Sequence, residues 1–252
     1  MRAPVDTIAA PPFPTNLSWV NASGTQPIIR RGKPMLVEFW DFCRPNSLRT
    51  LPYVKAWHER YAQAGLRVFG VHCPGFDASR GAQEVRDAVA RLGIAYPVLI
   101  DSELDVWMDY GNEGWPARYL FDERARLVEL HYGEGAYTET ELAIQELLGV
   151  RREPLAPLRP GDAPGATLVA HTQDQEGAYC GPYEAGGVWA VLDGAGVVKV
   201  NGGSAAGGTE LTVAHPGAYA LLEHDRHTIG VLGLEIGAGV RCLATCFTPG
   251  IS

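Results

Sequence analysis

A short apolar run, followed by a cysteine and an amphipathic helix, constrains the fold of the first half most strongly. The run Leu36–Trp40 reads LVEFW and predicts a buried strand. Within Leu48–Ala64, apolar residues then recur at helical spacing, and Pro52 falls in an early turn. Cys43 lies between the two, in a loop at the helix N-terminus. Because the partial positive charge of a helix N-terminus lowers the pKa of a thiol, this position favours thiol chemistry.

Strand and helix signals alternate from Pro34 to Leu148. Leu66–His72 is almost entirely apolar, as expected of a parallel strand that is covered on both faces. The remaining predicted elements are the helices Ala82–Leu92, Leu104–Tyr110 and Thr138–Leu148 and the strands Tyr96–Ile100, Ala117–Phe121 and Leu127–Tyr132. In the last helix, Thr138 and Glu141 have the spacing of a capping box. This alternation predicts an α/β domain.

Short strands separated by glycines replace this alternation in the second half. Residues 151–166 are rich in proline and glycine and have no periodicity, which predicts a linker. The strands predicted beyond it are Val188–Leu192, Val197–Val200, Leu211–Val213, Tyr219–Leu222, Val231–Ile236 and Val240–Phe247. The glycine-rich run Asn201–Gly208 predicts a hairpin loop. We therefore expect one domain over residues 1–150, a linker over 151–166 and a small all-β sandwich over 167–252.

Charge and composition exclude several classes of partner. The formal net charge of the 252 residues is −8, and no basic patch is present to neutralise nucleic-acid phosphates or an anionic membrane surface. The N-terminal segment lacks the apolar core of a signal peptide, and no segment approaches the roughly 20 apolar residues of a spanning helix. We therefore expect a cytoplasmic protein without membrane insertion. Five cysteines without zinc-type spacing argue against a secreted disulfide framework.

Six stretches resemble a known family. They are PMLVEFWDF, NSLRTLPYVKAWHERY, GLRVFGVHCP, LGIAYPVLID, GNEGWPARYLFD and GEGAYTETELAIQELL, and they cover Pro34 to Leu148 almost without gaps. This part of the chain resembles a thioredoxin-like domain of the TlpA/ResA class, in particular the extracytoplasmic module of DipZ-type proteins. The second half is similar, more weakly, to a shortened form of the carbohydrate-binding-like β-sandwich that follows this module. The resemblance implies an α/β thioredoxin-like domain followed by a small all-β sandwich domain.

The resemblance also implies thiol-disulfide oxidoreductase activity without a cofactor, on a thiol or disulfide of a protein or peptide partner. The sequence departs from the family at the two catalytic cysteines. The spacing from Trp40 to Pro52 is that of the family, and on it the nucleophile position falls on Arg44 and the resolving position on Ser47. Cys43 stands one residue earlier. The resemblance thus implies a degenerate site.

The pair Trp115-Pro116 corresponds to the cis-proline of the family. There the cis-proline faces the active-site helix and lines the groove that binds an extended substrate segment. We therefore expect a cis peptide bond at Trp115-Pro116, and a groove formed with Arg44 and Ser47. A cis bond before proline costs only about 0.5–1 kcal/mol, so the surrounding fold can hold it.

Cys43 and Cys73 are the candidate catalytic residues. With the strand order of a thioredoxin, Cys73 ends the strand beside that of Cys43, at the carboxyl edge where open α/β sheets place their sites. A disulfide between them requires Cα atoms within about 7 Å, and two reduced thiols are the favoured alternative. Cys43 would act through a mixed disulfide that Cys73 or an external thiol resolves. Alternatively, it packs as a small apolar side chain.

The other cysteines and the histidines give weaker signals. Cys242 and Cys246 are predicted to pack in the sandwich core, and Cys180 to lie in a loop or the core. Three histidines and two acidic residues form a ligand-like cluster: His215, Glu223, His224, Asp225 and His227. A solvated loop is the favoured interpretation and a weak metal or polar-ligand site is the alternative; we predict no metal site.

Two functions remain open from the sequence. The first is a thioredoxin-family thiol oxidoreductase that uses Cys43. The second is a redox-inactive module that binds a peptide or protein partner through the groove beside Trp115-Pro116, while the sandwich domain binds a polar ligand or mediates contact in a homodimer. Fold alone does not decide between them.

Overall fold

The computed structural model describes residues 7–22, 32–202 and 208–252. Contacts between residues divide the chain into two compact units. The first comprises the described residues up to Phe42 together with Asn46–Leu155, and the second comprises Cys43–Pro45 and Ala156–Ser252. The boundary between the two units, after Leu155, falls within residues 151–166, the predicted linker. The limits of that linker stay a prediction.

The first unit is an α/β domain around one six-stranded sheet. Its strands are β1 (Trp19–Val20), β2 (Met35–Trp40), β3 (Arg67–His72), β4 (Val98–Ile100), β5 (Ala117–Phe121) and β6 (Leu127–Tyr132). Its helices are α1 (Pro45–Tyr61), α2 (Ala82–Arg91), α3 (Asp105–Asp109) and α4 (Tyr137–Leu148). The strand order is β1-β4-β3-β2-β5-β6. Strands β2, β3 and β4 are parallel to one another, and β1, β5 and β6 pair antiparallel to their neighbours.

Strand β2 lies in the centre of this sheet, and all six of its residues are buried. Met35, Val37 and Phe39 pack in the apolar core of one face. The alternate residues therefore point to the other face, which is also buried. Burial on both faces explains why β2 and β3 read as continuous apolar runs in the sequence.

Two helices differ from the sequence prediction. Helix α1 begins at Pro45, three residues earlier than predicted, and ends at Tyr61. Helix α4 begins at Tyr137, after Ala136 in a left-handed conformation and without a side-chain cap. The predicted capping box at Thr138 is therefore wrong. Its acidic member, Glu141, is buried and accepts hydrogen bonds from side chains of α1.

The second unit is all-β, as predicted. Its strands are β7 (Leu168–Val169), β8 (Gln175–Glu176), β9 (Gly181–Gly194), β10 (Gly196–Asn201), β11 (Thr209–Val213), β12 (Gly217–Ile236), β13 (Val240–Thr248) and β14 (Gly250–Ile251). Six form an antiparallel sheet of order β11-β10-β12-β9-β13-β8, and β14 pairs with β7. The two strands predicted within 219–236 are one strand, β12, whose pairing with β9 shifts register twice. Residues 203–207 of the predicted hairpin loop lie outside the described residues.

Limited proteolysis checks the proposed linker. The segment 151–166 has the proline- and glycine-rich composition of an exposed connection, so we expect the first cleavage there. The N-terminal fragment is expected to keep its circular dichroism spectrum and a cooperative thermal transition. Loss of structure in both halves on cleavage would contradict independent domains.

Candidate functional site

The loop from β2 into α1 carries the candidate thiol and the two family positions. Cys43 is completely buried, and Ser47 is equally buried in the first turn of α1. The Asp41 backbone N–H donates a hydrogen bond to the Ser47 hydroxyl oxygen at 3.2 Å. Arg44 is half-buried. The family's two cysteine positions are therefore occupied by the guanidinium of Arg44 and the hydroxyl of Ser47. The Ser47 hydroxyl holds the loop through its hydrogen bond with Asp41.

Asp41 links this loop to the one that follows β3. Its side chain is completely buried, and Oδ2 accepts a hydrogen bond from the Gly75 N–H at 2.8 Å. Its other oxygen, Oδ1, lies 3.5 Å from Nε2 of His72, which ends β3. The His72 ring stacks on Phe42 with a centroid distance of 5.0 Å. Together these contacts hold the loop around Cys43 at the carboxyl edge of the sheet.

Cys73 follows β3 and is completely buried. Its thiol donates a hydrogen bond to Oδ2 of Asp101 at 3.3 Å. Burial raises the pKa of the Cys73 thiol well above its ordinary value, and the charges of Asp101 and Asp41 raise it further. Cys43 and Cys73 are both free cysteines in the structure, and whether they can form a disulfide stays a prediction from the sequence. In this conformation Cys73 is therefore a protonated thiol shielded from solvent.

The Trp115-Pro116 peptide bond is cis, as predicted. The Trp115 indole N–H donates a hydrogen bond to the backbone oxygen of Cys73 at 3.0 Å. Its ring also packs against Trp107 of α3, with a centroid distance of 4.3 Å. Trp115 thus joins the start of β5 to the ends of β3 and α3. The predicted groove residues Trp115 and Pro116 and the thiol of Cys73 belong to the same edge of the sheet.

Comparisons with known proteins show what the chain is similar to. No protein-family model matches the sequence. Protein DipZ of Mycobacterium bovis is 34% identical over 172 residues, which are 65% of this chain and 25% of DipZ. The thiol-disulfide oxidoreductase ResA of Halalkalibacterium halodurans is 28% identical over 102 residues, covering 40% of this chain and 55% of ResA. A crystal structure of a thioredoxin-like superfamily protein superposes with a TM-score of 0.52 at 20% identity, covering 58% of this chain and 100% of that protein.

The first domain is a thioredoxin-like domain of the TlpA/ResA class. The chain spans about a quarter of the length of the DipZ proteins that it matches. Within the part of the chain that the structure describes, no helix has the length and apolar character needed to cross a membrane.

The thioredoxin-like domain also contains a buried pair of ionisable side chains that sequence reasoning missed. Glu38 of β2 and Arg118 of β5 are register partners, and both are almost completely buried. Burial raises the pKa of Glu38 to about 8, although Arg118 opposes this shift. The guanidinium carbon of Arg118 lies 5.7 Å from the ring centre of Trp57 and 5.0 Å from that of Tyr137. The sequence indicates this pair only through Glu38, the single acidic residue inside the apolar run LVEFW.

The histidines of the second domain form separate pairs. Nε2 of His224 lies 2.9 Å from the Tyr183 hydroxyl, and Nε2 of His227 lies 3.5 Å from Glu184. His215 contacts Tyr219. Among the described residues, no group of three or more histidine, cysteine, aspartate or glutamate side chains is arranged to hold a metal ion.

The cysteines of the second domain differ in exposure. Cys246 is buried, Cys242 is half-buried, and Cys180 is exposed just before β9. Both Cys242 and Cys246 lie in β13, whose pairing with β9 shifts register after Cys242. Because Cys180 is exposed, it is expected to react first with a thiol reagent.

Proposed function

We propose that the thioredoxin-like domain is a thiol-disulfide oxidoreductase with a degenerate active site, in which Cys43 is the single reacting thiol. Its partner is a thiol or disulfide of a protein or peptide, bound beside Arg44 and Trp115, the two predicted groove residues that are partly exposed; Ser47 and Pro116, also predicted for the groove, are buried in this conformation. The observation that carries this proposal is the composition of the loop that leads into α1 and of the first turn of that helix. This segment keeps a cysteine, Cys43, but Arg44 and Ser47 stand at the family's two cysteine positions.

The proposed reaction stops at a mixed disulfide. The Cys43 thiolate attacks one sulfur of a partner disulfide, the two sulfurs bond, and the other partner sulfur leaves as a thiolate. A second thiol must then attack the partner's sulfur in the mixed disulfide, so that the bond to Cys43 breaks, Cys43 leaves as a thiolate, and the partner departs with a disulfide to the second thiol. Ser47 has no thiol, and the protonated, buried Cys73 is a poor attacker. An external thiol is therefore the expected resolving group, and no cofactor is required.

A redox-inactive binding module is the second candidate. The observation that favours it is the complete burial of Cys43, since a thiol reacts only when a partner sulfur can reach it. In that case the site beside the cis-proline binds a peptide or protein partner without electron transfer. A homodimer and a cytoplasmic location stay predictions from the sequence.

Trapping of the mixed disulfide tests the proposal. In a background with both Cys180→Ser and Cys242→Ser, which removes the exposed and the half-buried thiol, the protein is incubated with oxidised glutathione and its intact mass is measured. We expect one glutathione adduct, formed slowly because Cys43 must first become accessible. The adduct is expected to disappear in Cys43→Ser and to persist in Cys73→Ser, the matched control.

Two outcomes separate the candidates. If Cys43→Ser forms the adduct as readily as its parent, Cys43 is not the reactive thiol and the oxidoreductase proposal fails. If none of the variants forms an adduct, the redox-inactive module replaces it.

A further inference from the structure

Four residues of the first domain contact one another in a closed ring at the edge of the sheet. The Cys73 thiol donates a hydrogen bond to Oδ2 of Asp101 at 3.3 Å, and the Trp107 backbone N–H donates to the same oxygen at 2.9 Å. The ring of Trp107 packs on that of Trp115, with a centroid distance of 4.3 Å. The Trp115 indole N–H donates to the backbone oxygen of Cys73 at 3.0 Å, which closes the ring. Trp115 is therefore held by two residues, and both of them contact the Asp101 carboxylate.

Asp101 itself is fixed from both of its ends. It directly follows β4 and is almost completely buried, and its backbone N–H donates to the backbone oxygen of His72 at 2.9 Å. Its second carboxylate oxygen, Oδ1, accepts a hydrogen bond from the Val106 N–H at 3.2 Å. Hydrogen bonds to a carboxylate are among the stronger ones in proteins. Asp101 therefore holds the first turn of α3, and with it Trp107, against the ends of β3 and β4.

Cys73 contributes a hydrogen-bond donor to this ring. Burial raises the pKa of its thiol well above the ordinary value, and the charge of Asp101 raises it further, so the S–H is present near neutral pH. A thiolate in this place could not donate to Asp101 and would put a second negative charge beside it. The Cys73 thiol thus contacts Asp101 while its backbone oxygen accepts from Trp115. The geometry gives Cys73 a supporting role in place of the resolving role considered from the sequence.

We propose that Asp101 is a positioning residue of the partner site, and that it fixes the Trp115 ring through Trp107 and Cys73. The proposal rests on the proposed function, in which the partner binds beside the partly exposed Trp115; both candidate functions share that site. The buried Asp101 does not reach the partner and acts only through Trp115. Because a binding side chain is effective when the residues behind it hold it in place, loss of Asp101 loosens Trp115 and weakens partner binding.

The solvent exchange of two indole N–H groups tests the positioning in the free, full-length protein labelled with nitrogen-15. In Asp101→Asn, one carboxylate oxygen is replaced by an amide nitrogen that cannot accept, and the Trp115 indole N–H is expected to exchange about fivefold faster. The Trp57 indole N–H donates to Glu141 at 3.2 Å in the same domain and is expected to keep its rate. A general loss of stability would accelerate both. Asp105→Asn is the matched control, since it removes an exposed carboxylate from the same helix and is expected to change neither rate.

Two variants of Cys73 test the ring from its other side. Cys73→Ala removes the donor to Asp101 and is expected to accelerate exchange at Trp115 but not at Trp57. Cys73→Ser supplies a hydroxyl donor and is expected to restore the wild-type rate. If Asp101→Asn does not fold, this pair of variants decides. The resonances are assigned with Trp115→Phe and Trp57→Phe.

Partner binding is measured with fluorescein-labelled insulin B chain whose cysteines are carboxymethylated, so that no disulfide can form. Its affinity, from fluorescence anisotropy, is expected to fall about fivefold in Asp101→Asn, because Trp115 must then be ordered on binding, and to be unchanged in Asp105→Asn. If the wild type does not bind the B chain, the partner site of the proposed function fails, and the exchange rates decide on Asp101. The positioning proposal is overturned if Asp101→Asn and Cys73→Ala leave the Trp115 rate unchanged, or accelerate Trp57 equally.

Discussion

Replacing Glu38 by glutamine is expected to stabilise the protein by about 5 kcal/mol at pH 9 and to change its stability little near pH 4. The pKa of Glu38 is raised from 4.5 to about 8 in the folded protein, chiefly by burial. Below pH 4.5 the residue is neutral in both the folded and the unfolded chain. As the pH rises from 4.5 to 8, the unfolded chain loses its proton while the folded protein keeps it. The wild type therefore loses stability across this range, and glutamine, which does not titrate, loses none.

Urea denaturation at pH 4, 6, 7.5 and 9 measures this difference. The control is Glu113→Gln, which removes an exposed carboxylate of the same domain and is expected to change stability by less than about 0.5 kcal/mol at each pH. Below pH 8, Glu38 is largely neutral in the folded protein. Replacing it by glutamine therefore hardly changes the charge beside the buried Arg118 in this range. A stability difference between Glu38→Gln and the wild type that stays constant with pH would contradict the raised pKa.

Replacing Glu141 by alanine is expected to destabilise the first domain by about 3–5 kcal/mol. The buried carboxylate accepts hydrogen bonds from the Trp57 N–H at 3.2 Å, the Tyr61 hydroxyl at 2.6 Å and the Leu155 N–H at 2.8 Å. Its Oε1 also lies 3.3 Å from Nη1 of Arg60. Alanine would leave these donors without their acceptor in the interior, and would leave a cavity as well.

Glu139→Ala is the matched control for this prediction. It removes the same side chain from the same helix, α4, at an exposed position, and is expected to cost less than about 0.5 kcal/mol. Chemical denaturation at pH 7 gives both values. A loss of less than about 1 kcal/mol in Glu141→Ala would show that the carboxylate does not hold α1 and α4 together as the structure indicates.

Glu141 also shows why part of the fold escapes prediction from the sequence. Its spacing from Thr138 matches a capping box, and local spacing was all that the sequence offered. In the structure its partners come from α1, about 80 residues away along the chain. These buried donors outweigh a surface cap, because an unsatisfied buried group costs more than a cap contributes.

Other elements could be predicted because their signals are local. Strands β5 and β6 have the predicted bounds, since each is an apolar segment bounded by turn residues. The cis bond at Trp115-Pro116 was predicted from the family resemblance, and the structure confirms it. The environment of Glu38 could not be predicted, because its burial and its partner Arg118 depend on how β2 pairs with β5. The continuous strand β12, with its two register shifts, could not be predicted either, because it depends on pairing with the distant strand β9. The same holds for the exposure of Cys180.

The rate of dithiothreitol-driven insulin reduction tests the central proposal most directly. We predict that the wild type reduces insulin no faster than dithiothreitol alone, because neither Arg44 nor Ser47 provides a thiol at the family positions. The variant that carries both Arg44→Cys and Ser47→Cys restores the two-cysteine spacing at α1 and is predicted to turn over repeatedly. Repeated turnover by the wild type, at the rate of this variant and unaffected by Cys73→Ser, would contradict the proposal that the domain has lost its two-cysteine mechanism.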